Sequence, residues 1–315
     1  MVDLAPVFLR NSAPALVADQ ANAEGVKGWL MSGSYGVSLG ALDEIVLDGI
    51  NVALFFPYLF GDYMRFALAS KESIHLSFEE SFDRRATAWP LINRYYSAFF
   101  SAHALLRSQG AGMTWLDAGE VAHLERLGKL YVGPNFTMRR GGYSFSVNPG
   151  NGYNGEVRLV AMNYGSGSHD DFWRYFVDYI ADFGAQLLRS GAPMAAQTVG
   201  RIAEFERIIK APSGRGIWLS FMRNEINYQH KYGTWYPFKP STSGSSQDRR
   251  ILTQTNNAID LTADASRHPL KAFNAITCCL AALNNDFAVL MKERMGTGAN
   301  RFKAEWNRLQ TRLDS

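Results

Sequence analysis

Cysteine is nearly absent: the 315-residue chain has two, Cys278 and Cys279, adjacent in an apolar run. Neighbours in sequence build neither a disulfide framework nor a zinc site, and a reducing compartment is the simplest setting. Charge of one sign is missing too, because 32 Lys+Arg stand against 29 Asp+Glu, a net of +3. A pI near 8.8 permits contact with an acidic partner without requiring one. The cations are 23 Arg and 9 Lys. That bias suits bidentate phosphate contacts, although genomic base composition produces it as well.

Long apolar runs are also lacking. The most apolar stretch, Val52 to Phe60, contains Pro57 and is flanked by Asp48, Asp62 and Arg65. A bilayer crossing takes about 20 apolar residues. The N-terminus carries acidic and polar interruptions where a signal peptide has a clean apolar segment. These features lead us to expect a soluble, cytoplasmic protein without membrane contact.

Several chemical signatures are absent. There is no G-K-[ST] for a P-loop and no H-x-x-x-H or H-E-x-x-H pair among six scattered histidines. Gly150–Gly155 has the letters of G-x-G-x-x-G, but Pro149 precedes it and a strand-like run follows. A hairpin turn explains it better than a dinucleotide site. Neither a metal nor a cofactor is expected.

What is present is mostly helical. With 47% hydrophobic residues the chain can bury a sizeable core in one or two domains. Residues 1–42 read as a mixed N-terminal segment. Helical spacing runs from Asp43 to Ser70, with Pro57 expected to kink or split it. Further helices are expected over Trp89–Gln109, Asp117–Leu130, Asp170–Ser190, Ala195–Lys210, Ile217–His230 and Pro269–Arg294, followed by a tail over 296–315. Between about 131 and 169 two alternating runs, GYSFSVN and EVRLVAMN, flank PGNGYNG as a β-hairpin or small sheet. The expected fold is mainly α, one helical domain over 43–295 with that β insertion.

One segment carries candidate chemistry. If it is helical throughout, Arg223, Asn227 and His230 fall at i, i+4 and i+7 on one face, with Asn224 beside Arg223. Alternatively the helix ends near Tyr228 and a turn swings His230 back. A guanidinium stabilises charge on phosphoryl oxygens, an imidazole moves protons near neutrality, and an amide lies between them. With a 2′-hydroxyl as nucleophile, RNA cleavage by such a set needs no metal. The plainer account has Arg223 and Asn224 at a helix end and His230 merely exposed.

Two segments resemble the HEPN superfamily. Arg94-Tyr-Tyr-Ser-Ala-Phe-Phe100, continuing to Leu105-Leu106-Arg107, is similar to the second helix of those domains. Arg223-Asn224, then five residues, then His230-Lys231-Tyr232, is similar to their R-x4-6-H motif, here with a six-residue spacer. The resemblance implies a dimerising helical bundle with two copies of the motif in one cleft. It implies a metal-independent endoribonuclease of toxin–antitoxin or anti-phage defence systems, with RNA and an antitoxin or defence-system protein as partners. In such a site Arg223, Asn224, Asn227 and His230 would be catalytic. Tyr232 stands where some family toxins are nucleotidylated. Arg223-Asn-Glu-Ile-Asn-Tyr228 also resembles non-catalytic members, so the alternative is a nucleotide- or RNA-binding or protein-interaction module. Separately, Arg139, Arg140 and Tyr143 beside the hairpin combine charge with an aromatic ring, the composition of a single-strand RNA contact; a solvated loop is the simpler account.

Overall fold

The computed structural model describes residues 4–10, 21–41, 44–80, 88–150, 153–162, 167–189, 195–210, 216–235, 269–294 and 300–314. Among them ten α-helices accompany one five-stranded antiparallel sheet. In chain order these are α1 (Ala5–Arg10), α2 (Gly25–Ser32), β1 (Gly36–Leu39), β2 (Ile45–Ile50), α3 (Val52–Glu80) and α4 (Ala88–Ser108). Next come β3 (Ala111–Leu116), α5 (Ala118–Tyr131), β4 (Gly141–Asn148), β5 (Gly155–Ala161), α6 (Ser168–Arg189) and α7 (Ala195–Lys210). The chain closes with α8 (Trp218–Asn227), α9 (Pro269–Arg294) and α10 (Asn300–Asp314).

The hairpin expected near 131–169 is present as β4 and β5, and it belongs to a larger sheet ordered β1-β2-β5-β4-β3. Residues 45–50 therefore correct the helix expected from Asp43; Asp43 itself lies outside the described residues. Ile45 pairs with Leu159 and Leu47 with Val157, so this apolar run gains cross-strand partners that only the folded chain supplies. A register shift between Leu47 and Ile50 accommodates Gly49, whose φ of 69° suits a residue without Cβ. The division expected at 42/43 falls inside the β1–β2 pair, which joins the N-terminal segment to the sheet. Residues 300–314 form a helix rather than a plain tail, with Phe302 and Trp306 buried against the helical core.

Helix α3 starts after Asn51, whose side-chain oxygen accepts from Ala53 N at 3.0 Å in the manner of an N-cap. It continues past Pro57 without division. Asp117 and Glu120 form a reciprocal capping box at the start of α5, fixing that boundary where the sequence places it.

Two apolar clusters result. The inner sheet face, with Leu47, Tyr143, Phe145 and Leu159, packs under α2, α5 and the first turns of α3. The larger cluster surrounds α4, of whose 21 residues 16 are buried, so this helix is an axis rather than an amphipathic surface element. Ser70, Ser97 and Ser101 join α3 to α4, with Ser70 and Ser101 hydroxyls 2.6 Å apart. Helix α9 is long and apolar enough by composition to cross a bilayer, and most of it is buried among its neighbours.

Candidate functional site

Helices α4, α6 and α8 converge on the Tyr95 ring. Tyr95 is fully buried, and its hydroxyl lies 2.9 Å from His169 Nδ1 at the start of α6. Trp173, one helical turn further along α6, donates its indole N–H to the same hydroxyl at 3.1 Å. From α8, the Arg223 guanidinium carbon sits 5.5 Å from the Tyr95 ring centroid and 5.9 Å from that of Tyr228. Aromatic faces attract a cation at such distances.

Arg223 is only 8% exposed. Its Nη1 donates to Asn224 Oδ1 at 2.8 Å, while Nε is buried without a partner. Among the described residues no carboxylate pairs with it. A buried cation held by two rings and one amide keeps most of its charge uncompensated, which favours an anion alongside. That charge acts on its neighbours. Burial, and then Arg223, lowers the His169 pKa to about 4, with Asp170 opposing, so the ring is neutral at pH 7. Burial pushes the Tyr95 phenol up to about 12, against the lowering effects of the Trp173 hydrogen bond and Arg223.

The far end of the motif is built differently. Helix α8 ends at Asn227, with the Tyr228 N–H donating to Asn224 O at 2.9 Å. The one-face arrangement of Arg223, Asn227 and His230 on a single helix is therefore corrected: His230 lies beyond the helix, in a turn. Its φ is 52° and that of Tyr232 is 66°, and they are the two non-glycine residues with positive φ among those described. Left-handed backbone at such residues costs roughly 1–3 kcal/mol and persists where the surroundings fix it. Glu225 supplies the fixing contacts, accepting from Lys231 Nζ at 2.6 Å and from the Tyr232 hydroxyl at 2.5 Å. That carboxylate and burial raise the Tyr232 pKa to about 12, burial being the larger cause. A group attached to the Tyr232 oxygen would displace this hydrogen bond.

His230 is exposed, and its ring centroid lies 5.5 Å from that of Trp235, which in turn meets Trp89 at 5.7 Å. No hydrogen bond joins Arg223 to His230 among the described residues. Asn227 is half-buried at the last turn of α8. Within one chain the structure thus groups Arg223 and Asn224 with Tyr95 and His169, and sets His230 on a separate clamped turn.

The second candidate region lies elsewhere. Arg139 and Arg140 are exposed just before β4. Tyr143 is 2% exposed, on the inner face of the sheet, with its hydroxyl donating to Arg139 O at 2.8 Å. Its proposed part as a stacking platform is corrected, because a base cannot lie on a ring packed in the core. A cavity of about 560 Å³ opens here, lined by Leu39, Ile45, Phe136, Met138, Arg139 and Tyr143 among others. It shares no residue with the Arg223 site.

His169, Trp173 and Glu225 stand outside the sequence-derived set. Spacing held partial signals: His169 and Trp173 are i, i+4 at a helix start, and Glu225 precedes Lys231 and Tyr232 closely. Among the described residues no group of three or more His, Cys, Asp or Glu side chains is placed to hold a metal ion. Compared with known proteins, the chain matches no protein-family model, no curated protein and no solved structure.

Proposed function

We propose that the chain is a metal-independent endoribonuclease of HEPN type, acting as a homodimer on cytoplasmic RNA within a toxin–antitoxin or anti-phage defence system. The observation that carries this reading is the packing of Arg223 against Tyr95. The two segments that resemble HEPN are far apart in sequence, and they meet around a buried guanidinium with no carboxylate partner among the described residues.

In this mechanism a ribose 2′-oxygen attacks the adjacent phosphorus. The 2′-O–P bond forms as the P–O5′ bond breaks, leaving a 2′,3′-cyclic phosphate and a 5′-hydroxyl. Arg223 stabilises the phosphoryl oxygens as charge accumulates on them. His230 accepts the 2′-hydroxyl proton or delivers one to the departing 5′-oxygen. Dimerisation brings two motifs to one cleft, so an imidazole on one protomer can serve a guanidinium on the other.

A second reading, a non-catalytic RNA- or nucleotide-binding module, is favoured by one observation: His230 packs on Trp235 and makes no hydrogen bond to Arg223. Incubation with single-stranded RNA in EDTA separates the two. The nuclease reading requires cyclic-phosphate ends from RNA, no cutting of DNA, and a dimer by sedimentation. Binding without cutting, or a monomer that cuts, overturns it.

A further inference from the structure

His169 lies outside the Arg223–Tyr232 motif in sequence and beside it in space. Its ring centroid is 5.7 Å from that of Tyr95, whose ring also carries the Arg223 guanidinium at 5.5 Å. The hydrogen bonds around the Tyr95 oxygen fix where the imidazole proton sits. An indole N–H can only donate, so the Tyr95 oxygen accepts from Trp173 at 3.1 Å. The phenolic proton is then left for His169 Nδ1, 2.9 Å away. A neutral imidazole that accepts at Nδ1 carries its own proton on Nε2.

That Nε2–H has no protein partner among the described residues, and His169 is half-buried rather than enclosed. Arg223 offers a second unused donor in Nε, on a side chain 8% exposed. The charged groups that bear on His169 are Arg223 and Asp170, and Arg223 has the larger effect. Two donors of unlike charge therefore approach one ring from α6 and α8. A tetrahedral phosphoryl group presents several acceptor oxygens, so the guanidinium and the imidazole can each take a different one.

We propose that Arg223 and His169 form a two-donor site for a phosphoryl oxyanion, with Tyr95 as the positioning residue that holds His169 in its Nε2–H form. In the nuclease reading, on which the identity of that phosphoryl group as part of an RNA chain rests, His169 is a neutral electrophile. It donates to a phosphoryl oxygen beside Arg223, while proton transfer belongs to His230. The site itself stands on the geometry alone.

The test uses the full chain with 15N-labelled histidine and long-range 1H–15N spectra, which report tautomer directly. His169→Gln assigns the signal. The free protein should show His169 protonated on Nε2. Inorganic phosphate, 5′-AMP and a 2′-O-methyl oligoribonucleotide, which cannot be cut, are then added against a chloride control of matched ionic strength. Saturable movement of the His169 Nε2 signal in wild type, and its loss in Arg223→Gln, supports the site. Saturation by the oligonucleotide at lower concentration than 5′-AMP assigns the group to RNA; the reverse order overturns RNA as its source. Tyr95→Phe should populate both tautomers. An Nδ1–H form in the free protein, or a signal that none of the three probes moves, overturns the proposal, and both are read on the wild-type chain. The two claims fail separately. A responsive His169 in a protein that cuts no RNA removes the nuclease and leaves the site, whereas cutting with an unresponsive His169 does the opposite.

Discussion

The Asp62 carboxylate and the Arg107 guanidinium meet at 3.3 Å, Oδ2 to Nε, on the seam between the helical cluster and the sheet cluster. Asp62 belongs to α3 and also takes Arg65 and the Val26 N–H, the latter at 3.4 Å. Arg107, in the last turn of α4, donates to Met113 O of β3 at 2.8 Å and lies 4.6 Å from the Phe145 ring centroid of β4. Gly112 leaves the space through which Nη1 passes, since a Cβ there would collide with it. Burial lowers the Arg107 pKa and Asp62 opposes that shift, so the buried guanidinium relies on this carboxylate.

Removing one partner of this pair should therefore be severe. Asp62→Ala leaves a guanidinium in the core with only carbonyls and rings around it, at a cost of about 3–5 kcal/mol. Urea unfolding should show a lower midpoint at unchanged m-value. A loss below about 1 kcal/mol, the range of a surface pair, would mean the seam is wet and the pair unimportant.

Acid should destabilise the fold from an unusually high pH. His103 is buried between Phe66 and Phe172, with ring centroids 4.6 and 3.8 Å away. Burial, then Arg107 and His169, hold its pKa well below 6.5, and His169 sits at about 4. Unfolded histidines titrate near 6.5, so below that pH the unfolded chain binds protons that the folded chain refuses. Stability is thus full above about pH 6.5 and falls as pH drops towards about 4. Each such imidazole steepens that fall by at most about 1.4 kcal/mol per pH unit, one proton's worth. Chemical denaturation at stepped pH measures it, and His103→Phe should remove that component. Flat stability from pH 6.5 to 5 would contradict the buried neutral imidazoles.

The helical part of the fold was legible because periodicity is local. Helix α7 matches its expected bounds, and α5 starts at a capping box written in Asp117 and Glu120. Strand β2 was not legible: IVLDGI runs almost directly into VALFF, and a continuous apolar run has neither helical nor strand period. Pairing decides it, with β1 just before and with β5 over a hundred residues later. The site divides the same way. Arg223 and His230 stand out as residue types at close spacing. His169 does not, because its partner Tyr95 is 74 residues away and the contact exists only once α4 and α6 pack.

RNA binding should be weak and salt-sensitive, with the loop before β4 making a separable contribution. Each neutralised phosphate adds roughly 0.7 to the log–log salt slope on single strands. Arg139→Ala with Arg140→Ala should flatten the slope by up to about 1.4 if both side chains reach phosphates. Tyr143→Phe should leave affinity unchanged, since its hydroxyl serves Arg139 O and its ring is buried. An unaltered slope in the double variant would confine the RNA path to the Arg223 face.

The strained turn gives the last prediction. His230 and Tyr232 hold left-handed backbone because Glu225 grips Lys231 and Tyr232 at once, at 2.6 and 2.5 Å. These contacts are largely exposed, so Glu225→Ala should change global stability by no more than about 1 kcal/mol. Its effect on cleavage should be larger. A misplaced proton-transfer group loses roughly 100-fold, so kcat should fall towards that extent with KM little changed. Glu225→Gln should recover part of the rate, because an amide oxygen still accepts from the Tyr232 hydroxyl. His230→Asn is the matching control: asparagine tolerates the left-handed region, so the turn survives while the imidazole is lost. Cleavage should then fall by about 10²–10⁴-fold in a protein that remains folded. Full activity in Glu225→Ala beside an inactive His230→Asn would show that His230 works without its clamp. Full activity in both would take His230 out of the chemistry altogether.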